Sequence, residues 1–100
     1  MQGDLTKQAD VDALVSKAAS DFGSVDILVN NAGIIHREDS TELLLEDWRH
    51  VLSVNLDSVW LLSQAAGRRM VPQGAGKIVT VSSVLGFQGG LRVPAYASAK

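Results

Sequence analysis

Four side chains of this sequence have the types and spacing to move a proton on and off an alcohol: Asn55, Ser83, Tyr96 and Lys100. Tyr96 and Lys100 stand four residues apart, so on a helix they project from one face, one turn above the other. A phenol normally keeps its proton until pH ~10 and is a poor base at neutrality. An ammonium one turn away stabilises the phenolate and brings it toward the working range of a general acid or base. Ser83 follows an apolar run and offers a hydroxyl that can hydrogen-bond a carbonyl oxygen. Together the three make a device for interconverting an alcohol and a ketone. The plain alternative is a half-buried tyrosine and a strand-end serine making local hydrogen bonds. Asn55 lies in the apolar helical stretch Val54-Asn55-Leu56. A buried amide left unpaired costs roughly 1–3 kcal/mol, so Asn55 needs a partner.

These residues need elements to hold them. Lys77-Ile78-Val79-Thr80-Val81-Ser82 is β-branched and reads as the strand that delivers Ser83. Asp26-Ile27-Leu28-Val29-Asn30 is almost continuously apolar, the pattern of a parallel strand covered on both faces. Between them runs the longest helix, opening with Glu46 and Asp47 and carrying Arg68 and Arg69 before Pro72, Gly74 and Gly76 end it. Val59-Trp60-Leu61-Leu62 makes that helix apolar around much of its circumference. A second buried contact is therefore expected, within one subunit or between subunits. Upstream, Val11, Leu14, Val15, Ala18, Ala19 and Phe22 have the spacing of an amphipathic helix. Thr6 or Asp10 would cap its start and Gly23 its end. Gly3-Asp4-Leu5-Thr6 reads as the tail of a strand entering a loop, and residues 86–94 as a glycine-rich loop before the Tyr96 helix. Strand, crossover helix and strand imply a right-handed βαβ unit and a parallel sheet.

Composition narrows the class. With 46% apolar and 20% charged residues, the 100-residue chain can form a core. A net charge of −2 favours neither nucleic acid nor an anionic membrane surface as partner. No run approaches the ~18 apolar residues of a membrane span, and no basic-then-apolar leader opens the chain. The absence of cysteine excludes disulfide and thiolate chemistry. A cytoplasmic location is the default expectation.

Asn30-Asn31-Ala32-Gly33, Asn55, Val81-Ser82-Ser83 and Tyr96-Ala97-Ser98-Ala99-Lys100, in this order, resemble the short-chain dehydrogenase/reductase family across essentially the whole chain. The resemblance implies an α/β fold, a Rossmann-like doubly wound parallel sheet, and an NAD(P)-dependent oxidoreductase. Tyr96 would be the general acid/base, Lys100 would assist it and hydrogen-bond the nicotinamide ribose, and Ser83, rather than Ser82, would orient the carbonyl. Asn55 would bend its helix and help hold a water of a proton relay. Asp4 and Leu5 would lie by the adenine, and Asn31, Ala32 and Gly33 along the cofactor, with NAD favoured and NADP allowed. No metal is implied. Homo-oligomers, usually tetramers, are the family's habit.

Arg37 and Arg92 flank the expected site, and arginine binds carboxylates bidentately. Their loops are similar to those of the family's sugar-acid dehydrogenases, in particular the group acting at carbon 3 of 2-deoxy-D-gluconate and on 2-keto-3-deoxygluconate. A gluconate 5-dehydrogenase or a 3-oxoacyl reductase is the alternative. The glycine turn that seats a pyrophosphate in such folds is not found in this sequence. Residues 1–100 are therefore expected to be the central segment of a single Rossmann-fold domain, lacking the first βαβ unit and the C-terminal part. An inactive fragment, or one that binds a partner through its apolar helix, is the non-enzymatic alternative.

Overall fold

The computed structural model describes residues 1–100. Its elements are α1 (Gln8–Phe22), β1 (Ile27–Asn30), α2 (Leu45–Leu52), a π-helical turn (Ser53–Asp57), α3 (Ser58–Gln73), β2 (Lys77–Thr80), α4 (Leu85–Gln88) and α5 (Pro94–Ala99). β1 and β2 pair in parallel, with Ile27 opposite Lys77 and Asn30 opposite Thr80. The expected βαβ unit is present, its crossover built from α2, the π turn and α3. This is the parallel α/β arrangement of a Rossmann-like sheet.

The apolar spacing of α1 does the work expected of it. Val11 and Val15 are buried against Leu62 and Ala65 of α3, with Leu5, Val25, Leu28 and Leu61 packed around them. Each such side chain contributes about 1.5–3 kcal/mol when fully buried. Gln73 fastens the end of α3 to the entry of β1, donating from Nε2 to Val25 O at 3.1 Å and accepting from Val25 N at 3.4 Å. α5 packs against α2 and the π turn, which brings the second half of the chain to the C-terminal end of β1.

Four expectations need correction. Residues 3–6 form no strand, because the Asp4 carboxylate folds them into a turn by accepting from Thr6 N at 2.9 Å and Thr6 Oγ1 at 2.7 Å. Neither Thr6 nor Asp10 caps α1, whose N-cap is Lys7 without a side-chain bond. Asp10 instead accepts from Asp4 N at 2.8 Å. At Asn55, where the resemblance implies a bend, one π turn interrupts the long helix. That helix runs through Pro72 to Gln73 and stops at Gly74 in a left-handed conformation, φ 73°. The loop at 86–94 is shorter than expected because residues 85–88 wind into α4. Gly23, φ 84°, does close α1 and donates to Ala19 O at 2.9 Å.

One sheet face and one helix face are uncovered. Ile27 is 66% exposed, Val29 55% and Val79 52%, while Trp60 on α3 is 66% exposed. The second contact expected for the long helix is thus not made within this chain. Only 13 of the 100 residues are buried, and the radius of gyration, 15.3 Å, exceeds the ~13 Å of a compact 100-residue domain. No helix is long and apolar enough to cross a membrane.

Candidate active site

Asn55 is where the sequence's odd amide finds its purpose. It is 2% exposed, yet both ends of its side chain are satisfied by one residue. Oδ1 accepts from Ile34 N at 2.7 Å and Nδ2 donates to Ile34 O at 2.7 Å. The amide therefore mimics a strand partner and clamps the loop that leaves β1. It does so from the π turn, a distortion that often marks functional sites because it redirects one side chain.

Gly33 sits in the angle this clamp creates. A Cβ there would lie 3.4 Å from Asn55 Oδ1 and 3.6 Å from Lys100 Nζ. Asn55 and Lys100, distant in sequence, thus converge on one glycine. Lys100 Nζ donates to Val81 O at 3.1 Å and lies 5.9 Å from the centroid of the Tyr96 ring. Helix α5 is what holds Tyr96 and Lys100 one turn apart, Lys100 N donating to Tyr96 O at 3.0 Å. Pro94 at its first turn needs no hydrogen-bond partner for its nitrogen, and Ala95 and Ala99 are buried behind it.

Asn31, Gly33, Ile34, Ile35, Val81, Ser82, Tyr96 and Lys100 line one cavity of about 360 Å³. A larger recess of about 530 Å³, along Thr6, Leu56, Trp60 and Ser63, contains no acid–base pair. Chemistry, not size, picks out the smaller one. The small glycine, the free space and the lysine fit the ribose and nicotinamide end of a dinucleotide. Asn31, Gly33, Tyr96 and Lys100 are the residues that would hold it.

Other expected residues are placed differently. Ser82, not Ser83, lines the cavity, and its Oγ donates to Lys100 O at 2.8 Å. Ser83 starts the turn into α4, its Oγ accepting from Leu85 N at 3.2 Å. The reason is local: β2 ends at Thr80, so strand alternation no longer governs where these serines point. Ala32 is exposed beside the cavity without lining it. Asp4 is occupied by Thr6, and Leu5 packs on the core at the entry of α1. Arg37 is exposed and takes part in none of the chain's ion pairs. Arg92 is engaged, with Nε 3.2 Å from Asp39 Oδ1. Asn30 is 4% exposed and bridges the layers, Nδ2 donating to Ser63 Oγ and Thr80 Oγ1, both at 3.2 Å.

The model of the family described as short chain dehydrogenase matches residues 1–100. The chain belongs to the short-chain dehydrogenase family. Within it, the chain is 46% identical over 101 residues to the 2-dehydro-3-deoxy-D-gluconate 5-dehydrogenase of Escherichia coli, covering all of this chain and 40% of that protein. The enzyme of the same name from Bacillus subtilis is 52% identical over 91 residues, covering 89% of this chain and 36% of its own length. A crystal structure from Beutenbergia cavernae, provisionally described as an NAD(P) dependent gluconate 5-dehydrogenase with NADP at low occupancy, superposes with TM-score 0.88. It is 46% identical and covers 98% of this chain, which in turn covers 39% of it. The chain thus spans about two fifths or less of the length of these short-chain dehydrogenases. The Escherichia coli and Bacillus subtilis relatives are named for the expected sugar acid, since 2-dehydro-3-deoxygluconate is 2-keto-3-deoxygluconate. They are named for carbon 5, however, and the expected likeness to carbon-3 enzymes is corrected accordingly.

Two contributors to this candidate site escaped the sequence reading, Ile34 through its backbone and Val81 through its carbonyl, while Ser82 was weighed there and set aside for Ser83. Backbone partners leave no residue-type signal. The isolated polar Asn55 was the one clue that such a partner existed.

Proposed function

We propose that this chain supplies the central, proton-handling segment of an NAD(P)-dependent dehydrogenase that oxidises a secondary alcohol of a sugar acid. The proposed substrate is 2-dehydro-3-deoxy-D-gluconate and the proposed position carbon 5. The convergence of Lys100 and Asn55 on Gly33, in a cavity that Tyr96 also lines, is the observation that carries the reading. The relatives' names supply the substrate class.

The dinucleotide, NAD or NADP, would supply the two-electron oxidation. In the proposed step, the Tyr96 hydroxyl oxygen takes the alcohol proton. The proton already on the Tyr96 oxygen leaves toward solvent as the alcohol proton arrives, and Lys100, whose Nζ lies 5.9 Å from the ring centroid, would hydrogen-bond the ribose. Ser83 Oγ donates its hydrogen to the substrate oxygen while still accepting from Leu85 N. Asn55 holds the Ile34 loop so that Gly33 and Asn31 flank the cofactor. Asp4, Leu5 and Ala32 are proposed to border its adenosine half. Arg37 binds the substrate carboxylate, and Arg92, paired with Asp39, is proposed to serve substrate binding through the loops it joins. The exposed Trp60 face of α3 is proposed to meet a second subunit in a homo-oligomer.

The test uses a chimera in which this chain replaces the matching 101-residue segment of the Escherichia coli relative. The chimera should reduce NAD or NADP when given 2-dehydro-3-deoxy-D-gluconate and not when given a 3-hydroxyacyl thioester. Preference for the thioester would replace the sugar-acid reading with the acyl one. Arg37→Ala should cost about tenfold or more in kcat/KM, mainly through KM. Unchanged kinetics would remove Arg37 from the site.

A further inference from the structure

Two loops lead to the elements of the cavity: residues 31–44 after β1, which supply Asn31, Gly33, Ile34 and Ile35 to its lining, and residues 89–93, which lead into α5 and so to Tyr96 and Lys100. They are joined at two points. Glu38 N donates to Arg92 O at 2.8 Å, and Arg92 Nε lies 3.2 Å from Asp39 Oδ1. Arg92 is also the one non-glycine residue with positive φ, at 60°. Side-chain-bearing residues adopt this left-handed conformation uncommonly, whereas glycine adopts it freely. Gly89 and Gly90 lie just before it, yet the turn puts arginine at the demanding position.

Stability does not account for this choice. The two side chains are 60% and 65% exposed, and exposed ion pairs add little. A residue kept in an unfavourable conformation by one backbone bond and one side-chain bond marks a constraint on geometry. Asp39 extends the constraint further, since its carbonyl oxygen accepts from Glu42 N at 2.9 Å and Leu43 N at 3.1 Å in the turn that leads to α2. On the other side, Val93 is 1% exposed and anchors the start of α5. The Asp39–Arg92 pair therefore couples the entry of α2 to the entry of the helix that carries Tyr96 and Lys100.

We propose that Asp39 is a positioning residue which, acting through Arg92, fixes the spacing of these two loops and so tunes the cavity mouth for a carboxylated substrate. The proposal rests on the sugar-acid reading above. It also divides labour between the two arginines. The Arg92 guanidinium is committed to Asp39 as a tie, and Arg37, free of ion pairs, is the one that meets the substrate carboxylate.

Asp39→Asn, Arg92→Gly and the double variant, each made in the chimera, test it. Asp39→Asn should raise KM for the sugar acid about tenfold while kcat stays within about twofold. Hydrogen exchange in the peptide containing Glu38 should quicken. Arg92→Gly relaxes the backbone but deletes the tie, so KM should rise similarly with no fall in thermal midpoint. The double variant should be no worse than either single one, as for residues acting as a unit. An unchanged KM, or losses that add in the double variant, would overturn the proposal. So would a fall in kcat that merely follows a fall in thermal midpoint. If the unmutated chimera ignores the sugar acid, the substrate reading fails on its own terms. The coupling is then judged by exchange at Glu38 alone: faster exchange in Asp39→Asn upholds it, and unaltered exchange removes it.

Discussion

Tyr96, Lys100 and Asn55 were legible as single residues because each is chemically out of place. A phenol and an ammonium share one helix face, and an amide interrupts an apolar helix. Asp4 was legible only in part. The family resemblance implies a place beside the adenine, while in the fold its Oδ1 accepts from Thr6 N and Thr6 Oγ1. The hydroxyl of Thr6 first and then the Thr6 N–H hold the Asp4 carboxyl below its ordinary value, against an opposing effect of desolvation, with the charge of Lys7 adding less. Because the folded value lies below the unfolded one, near 3.8, the turn gains stability above that pH and loses it as pH falls through the folded value. Asp4→Asn should therefore lower the thermal midpoint of the chimera at neutral pH. The difference should vanish in strong acid, where the native carboxyl is itself protonated. A difference that persists in acid would mean that the charge is not what the turn uses.

Among the elements, the strands and α1 could be read from apolar spacing, because burial dictates that spacing. The π turn could not. It arises because Asn55 must reach Ile34 across the chain, a tertiary demand that local propensity does not encode. α4 was missed for a related reason: glycines at 86, 89 and 90 signal a loop, while the Ser83 turn bonds supply the start of a helix. Asn55→Ala should strand the N–H and carbonyl of Ile34 and cost about 1–3 kcal/mol in the chimera. Denaturant unfolding would read this loss, and hydrogen exchange should quicken at Ile34. Unaltered stability would show that water replaces the amide without penalty, and the clamp would lose its role.

For the whole molecule, the fold explains an expectation of weak autonomy. Parallel sheets are normally covered on both faces, whereas Ile27, Val29 and Val79 are more than half exposed here. The 100-residue chain by itself should bind a hydrophobic dye, associate at micromolar concentration and melt broadly, with no shift on adding millimolar NADH. A sharp thermal transition raised by NADH would make it a self-sufficient domain instead. Whether α3 serves an assembly is read by the same logic: Trp60→Glu in the chimera should lower its oligomeric mass in solution.

The central claim is that Tyr96 handles the proton in a site that Lys100 and Asn55 complete. Steady-state oxidation of 2-dehydro-3-deoxy-D-gluconate by the chimera and its Tyr96→Phe variant tests it most directly. Turnover should fall by about a hundredfold or more, the scale of a lost general base, while NADH binding and thermal midpoint hold. A variant that keeps most of its turnover would contradict the claim, and the proton would then have to leave by another group.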